Sequence, residues 1–86
     1  MNEVSSLVHL LRNLPVHQLI RALERDGFTL RRSTQTGGRI YAHPDGRITV
    51  VHYHAGSDTL TRKTLKSVLE AVGWDHVDAK RLGLIP

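Results

Sequence analysis

Three histidines, His43, His52 and His54, are the side chains in this sequence best suited to moving protons. An ordinary imidazole titrates near neutrality, so it can take or give a proton without a metal ion. His52 and His54 are two residues apart and share a face if their segment is a strand. The chemistry open to such a set is general acid–base catalysis, and metal-free cleavage of an RNA phosphodiester is one reaction that would use it. One imidazole would remove the 2′-hydroxyl proton, another would protonate the leaving 5′-oxygen, and Arg or Lys would stabilise the anionic phosphorane. The plainer alternative makes His43 a turn residue bonded to backbone and leaves the other two as exposed strand side chains. Zinc is a competing chemistry, since His52-x-His54 with His43 and Asp58 offers nitrogen and oxygen ligands. That spacing follows no strict zinc signature, so neither a metal nor another cofactor is expected. His9, His17 and His76 are scattered along helical segments and read as surface residues.

Phosphate-binding chemistry is concentrated elsewhere. Arg62, Lys63 and Lys66 crowd the start of a helical segment, where the macrodipole ordinarily favours acids. Cations beside a helix N-terminus repel its partial charge mildly, yet together they make a strong anion site. Tyr41 could stack on a base while Arg39 and Arg47 hold the backbone; the alternative for Tyr41 is a buried strand tyrosine. Twelve Lys and Arg against eight Asp and Glu give a net charge of +4, which suits a phosphate backbone without proving one.

These residues must be positioned by short elements. Val16, Leu19, Ile20 and Leu23 form one apolar stripe of a helix over 16–26, with Pro15 before it and Gly27 after. Phe28 to Arg32 alternates like a half-buried strand, Thr36-Gly37-Gly38 signals a turn, and Arg39 to His43 reads as a second strand. Pro44-Asp45-Gly46 suits a tight hairpin leading into a third strand, Ile48 to Tyr53. A second helix over 62–72 carries Leu65, Val68, Leu69 and Val72, with Thr61 and Gly73 as caps. Val4, Leu7, Val8 and Leu11 allow an N-terminal helix ending near Asn13, placed as an appendage, and 74–82 allows a short helical tail capped by Asp75.

The expected fold is α+β: helix, three-stranded antiparallel meander, helix, with both helices on one sheet face. If Ile40 faces the helices, Arg39, Tyr41 and His43 face solvent. The buried side of the third strand stays open, because Ile48 and Val50 oppose Val51. At 86 residues the chain is one domain, divided into an extension over 1–14, a core over 15–73 and a tail over 74–86. It has no cysteine, no signal-like segment and no membrane-length apolar run, so a soluble cytoplasmic protein is expected.

The stretch from Leu19 to Leu69 resembles the HicA toxins of bacterial toxin–antitoxin pairs. The resemblance rests on Leu23-Glu24-Arg25-Asp26-Gly27-Phe28, Arg39-Ile40-Tyr41, and His43-Pro44-Asp45-Gly46-Arg47. It continues through the strand ending at His54 and the helix opening Thr64-Leu65-Lys66-Ser67-Val68-Leu69. Gly73-Trp74-Asp75 and Arg81-Leu82-Gly83-Leu84-Ile85 look like the tail of longer members. The resemblance implies a fold like double-stranded-RNA-binding domains and metal-independent endoribonuclease activity on messenger RNA. It also implies a HicB-like antitoxin partner. Family members carry Gly-Ser-His before the Arg-Ile-Tyr strand, and that histidine is regarded as catalytic. Here the matching positions are Thr36-Gly37-Gly38, so the catalytic position falls on Gly38, which has no proton to give. His43 and His54 match other family positions. Two functions therefore compete, an impaired or rewired ribonuclease and a module of the same fold that binds RNA or antitoxin without cutting. A DNA-binding regulator fits the charge, but no helix-turn-helix pattern is present.

Overall fold

The computed structural model describes residues 3–86. Its elements are α1 (Glu3–Leu10), α2 (Val16–Asp26), β1 (Thr29–Ser33), β2 (Gly38–Ala42), β3 (Ile48–His52), α3 (Arg62–Val72) and α4 (His76–Arg81). The strands form an open antiparallel sheet in the order β1-β2-β3, and the helices cover one face, as the element order implies. No helix among the described residues is long and apolar enough to cross a membrane.

The helices form where local chemistry calls for them. Val16, Leu19, Ala22 and Leu23 of α2 and Leu65, Val68, Leu69 and Val72 of α3 enter one core. Thr61 caps α3 by accepting from the Thr64 N–H. Pro15 offers α2 no side-chain cap; instead the carbonyls of Asp58 and Gly56 accept from the N–H groups of Val16 and His17, at 2.8 and 2.9 Å. The loop after β3 is thereby pinned to the start of α2. Gly27 ends α2 with φ +106°, and a Cβ there would lie 2.8 Å from the His43 ring, so two constraints require glycine. The N-terminal helix is not the appendage that its position suggests: Leu7, Val8 and Leu11 are core residues, and α1 packs on α3. Asp75 and Asp78 form a reciprocal capping box for α4.

The sheet resolves one open expectation and overturns another. Thr49 and Val51 are buried, whereas Ile48 is 59% and Val50 41% exposed. Tyr41, opposite Thr49, is only 4% exposed and faces the helices, which is the buried alternative. The solvent-facing reading of Arg39, Tyr41 and His43 fails with its condition, and Arg39, opposite Val51, shares the side of Tyr41. Ile40 pairs with Val50 on the open face instead. Both sides of these strands carry apolar residues, and the choice is made at the turn. His43 shares the parity of Tyr41, and its Nε2 donates to the Asp26 carbonyl at 2.7 Å, which turns that side toward α2. The expected half-buried first strand is exposed along its length; it is an edge strand with a register shift between Leu30 and Arg32.

Asp26, the last residue of α2, gathers four elements. Its carboxylate accepts from Trp74 Nε1 at 2.9 Å and from Arg81 Nη2 at 2.9 Å, and Arg47 Nη1 lies 3.1 Å away. Arg47 also donates to the Val72 carbonyl and to Asp45 Oδ2, and its guanidinium stacks 5.0 Å above the Phe28 ring. His43 packs edge-on against the same Phe28, and its Nδ1 accepts from the Asp45 N–H at 3.1 Å. Since a carbonyl only accepts, Nε2 carries the proton and both ring nitrogens are engaged.

Burial alone would raise the Asp26 carboxyl, but the hydrogen bonds from Trp74 and Arg81 and the Arg47 charge outweigh it and hold it below its ordinary value. A depressed native value stabilises the fold above the unfolded carboxyl's titration, and that contribution fades as pH falls through the native value. Stability should therefore drop below about pH 4. Asp26→Asn should cost about 3 kcal/mol at pH 7 and flatten this acid limb, read as urea midpoints across pH. An acid limb as steep as the parent's would show that another carboxylate titrates. His43→Ala should cost about 1–3 kcal/mol by stranding the Asp26 carbonyl and the Asp45 N–H. A urea midpoint unchanged from the parent's would return His43 to the candidates for chemistry.

Candidate functional site

At the opposite end of β2 from Asp26, the sheet brings a different set of residues together. Gly38 pairs directly with His52, so both point to the open face. The backbone of Gly38 is ordinary, with no positive φ, so its conformation does not demand glycine. Space does. A Cβ on Gly38 would lie 2.8 Å from Thr34 Oγ1, 2.9 Å from His52 Cε1 and 3.3 Å from His52 Nδ1. The imidazole of His52 therefore rests in the place where a residue-38 side chain would begin. His54 stands beside the neighbouring glycine, its Nδ1 3.6 Å from where a Gly37 Cβ would be. Gly37 needs its φ of +88°, and the Tyr53 carbonyl would lie only 2.9 Å from a Cβ there.

The surrounding backbone is well held. Thr34 Oγ1 accepts from the Gly38 N–H at 2.9 Å, and the Tyr53 N–H donates to the Gly37 carbonyl at 3.2 Å. Arg39 Nη1 donates to that same carbonyl at 3.1 Å, and the guanidinium carbon lies 4.6 Å over the Tyr53 ring. The Asp58 carboxylate accepts from the N–H groups of His54 and Ala55, and these bonds hold it below its ordinary value despite some desolvation. By contrast, the His52 and His54 rings make no hydrogen bond among the described residues, and both side chains are exposed. Two imidazoles with no hydrogen-bond partner among the described residues thus stand beside the Gly37–Gly38 backbone.

A groove of about 380 Å³ opens beside them, lined by His52, Tyr53, His54, Asp58, Thr61 and Thr64. Its far wall is the first turn of α3, so the partial positive charge of that helix faces the histidines' end of the sheet. Arg62, Lys63 and Lys66 are exposed and take part in no ion pair among the described residues. Cations without acidic partners near a helix N-terminus are available to phosphate oxygens.

The other expected site residues lie elsewhere. His43 is at the Asp26 end of β2, with both nitrogens occupied. Arg47 is committed to Asp26, Asp45 and the Val72 carbonyl. Tyr41 is buried, which lifts its phenol above the ordinary value and removes its ring from any base. The zinc alternative is not assembled, since no group of three His, Asp or Glu among the described residues could hold a metal ion. Sequence reasoning missed the seating of His52 on Gly38. The signal was present: counting outward from the Pro44-Asp45-Gly46 turn pairs 42 with 48, 40 with 50 and 38 with 52.

A comparison with known families matches residues 16–74 to the HicA toxin of bacterial toxin–antitoxin systems. No curated protein gave a match. The matched segment covers the sheet, α2 and α3, including Gly38, His52, His54 and the α3 cations. With more than half of its length matched and the expected α+β order in place, the chain belongs to the HicA toxin family.

Proposed function

We propose that this toxin is a metal-independent endoribonuclease acting on messenger RNA in the cytoplasm, and that His52 supplies the imidazole its family carries at the position of Gly38. The observation behind this reading is the seating of the His52 ring against Gly38, 2.9 Å from the point where a side chain there would start. The resemblance implies a catalytic histidine at the position of Gly38, and the facing strand brings the His52 imidazole beside that position. His54, two residues on, provides the second proton-transfer group.

The chemistry is an internal displacement. One imidazole in its neutral form removes the 2′-hydroxyl proton, and the 2′-oxygen attacks the adjacent phosphorus. The phosphorane is stabilised by the α3 N-terminus, whose Thr61 and Thr64 line the groove, with Lys63 beside it, while Arg62 and Lys66 hold the strand further along. The second imidazole, protonated, gives its proton to the departing 5′-oxygen, leaving a 2′,3′-cyclic phosphate and a 5′-hydroxyl. The partner antitoxin is HicB-like. The competing function is RNA binding without cleavage, and measuring both on the parent separates the two.

RNA cleavage in chelator should fall about 10²–10⁴-fold in His52→Ala, and comparably in His54→Ala. Gly38→His alone should bring no gain, since its side chain would push the exposed His52 ring off the surface that the new imidazole occupies. Gly38→His combined with His52→Ala moves the imidazole to the facing strand and should restore cutting. A parent that binds RNA but never cuts it would establish the binding module instead. Parent-like cutting by His52→Ala, or a dead double variant beside an active parent, would sink the assignment of His52.

Arg62→Ala with Lys63→Ala should weaken single-stranded RNA binding across sequences. It should also lower the slope of log affinity against log salt by about 0.7 for each phosphate no longer neutralised. An unchanged slope would place the phosphate path elsewhere.

A further inference from the structure

The helix that precedes the family-matched segment does more than fill the core. α1 and α3 lie side by side, and between them is a cavity of about 270 Å³ lined by Ser5, Val8, His9, Arg62 and Lys66. Ser5, Val8 and His9 occupy one face of α1, and Arg62 and Lys66 stand one turn apart on α3. Val8 is buried and forms an apolar floor. Every polar side chain in the lining can donate a hydrogen bond, and no carboxylate is among them. Arg12 lies one turn beyond His9, with its Nη1 donating to the His9 carbonyl at 2.6 Å. The same Nη1 is 3.4 Å from His9 Nε2, so a further cation stands at the rim.

We infer that this cavity is a phosphodiester-binding subsite, through which α1 extends the RNA path beyond the groove of His52 and His54. The inference rests on the chain acting on RNA and names where a second phosphate of the same strand is held. Arg62 and Lys66, which take part in no ion pair among the described residues, with His9 beside them, select an oxyanion over a neutral or cationic group. The volume exceeds that of a bare phosphate and leaves room for the attached sugar. Arg62 lines this cavity, while Thr61 and Thr64 line the groove beside the histidines, so a strand crossing the first turn of α3 would touch both. The floor and one wall come from α1, which lies before the matched residues 16–74, so most of the subsite stands outside the matched segment.

The test uses the full chain and a fluorescent 2′-O-methyl RNA, which cannot be cut, so binding is read apart from cleavage. His9→Glu places a carboxylate against Arg62 and Lys66 without removing a core residue. It should weaken binding about tenfold and lower the salt slope by about 0.7 for each phosphate released from the subsite. Arg62→Ala with Lys66→Ala should do the same, and His9→Glu added to that pair should have little further effect, because all three changes remove one subsite. Thermal midpoints confirm that each variant is folded. Parent-like affinity for His9→Glu would overturn the subsite while leaving the cleavage assignment intact, and so would a full additional loss of affinity in the Arg62→Ala, Lys66→Ala background. A parent that binds but does not cut leaves the subsite standing and removes the cleavage assignment. A parent that does not bind RNA at all overturns both.

Discussion

The Asp26 carboxylate sits at the C-terminal end of α2, where the helix dipole disfavours a negative charge. Its side chain is only 9% exposed, so desolvation opposes it as well. It is tolerated because an indole N–H and two guanidinium groups converge on it from the segment after α3, from α4 and from the β2–β3 turn. None of those groups is a sequence neighbour. The consequence is geometric: the end of α2, the turn and the tail are clamped to one point, and the sheet can dock in only one orientation. With His43 tied to the Asp26 backbone, Tyr41 and Val51 must face the helices. Gly38, Ile40 and Ala42 must then face outward, and His52 with them.

The helices were legible because everything that specifies them is local. Stripes, caps and breakers lie within one or two turns of the residues they govern, as with Thr61 and Gly73 around α3. The sheet's faces were not legible from alternation alone, since Ile40, Ile48 and Val50 rival Tyr41 and Val51 in apolar character. That decision belongs to a bond between His43 and Asp26, seventeen residues apart. The roles of Arg47 and Trp74 were hidden for the same reason, their partners being fixed by tertiary contact. For α1, spacing predicted a helix, but only its docking on α3 could reveal that Leu7, Val8 and Leu11 belong to the core.

The candidate site divides in the same manner. The pairing of His52 with position 38 follows from a period of two, and the start of α3 at Thr61 follows from its cap. Their proximity does not, because it depends on the loop over 54–61 folding back so that Asp58 and Gly56 accept from the start of α2. His43 looked equivalent to the other histidines in sequence, yet the ladder places it at the far end of its strand. Residue type identified the chemistry; register decided which residues could share it.

The core also bears on where this domain should be considered to start. Family resemblance begins at α2, but Leu7, Val8 and Leu11 pack into the same apolar cluster as Leu65, Val68 and Leu69. At the other end, Arg81 bonds to Asp26, and Leu82 and Ala79 are buried beyond the last matched residue. The segment that matches the family is therefore shorter than the continuous core. A boundary drawn by homology would cut through a continuous interior, uncovering α3 on one side and leaving the Asp26 charge short of a partner on the other.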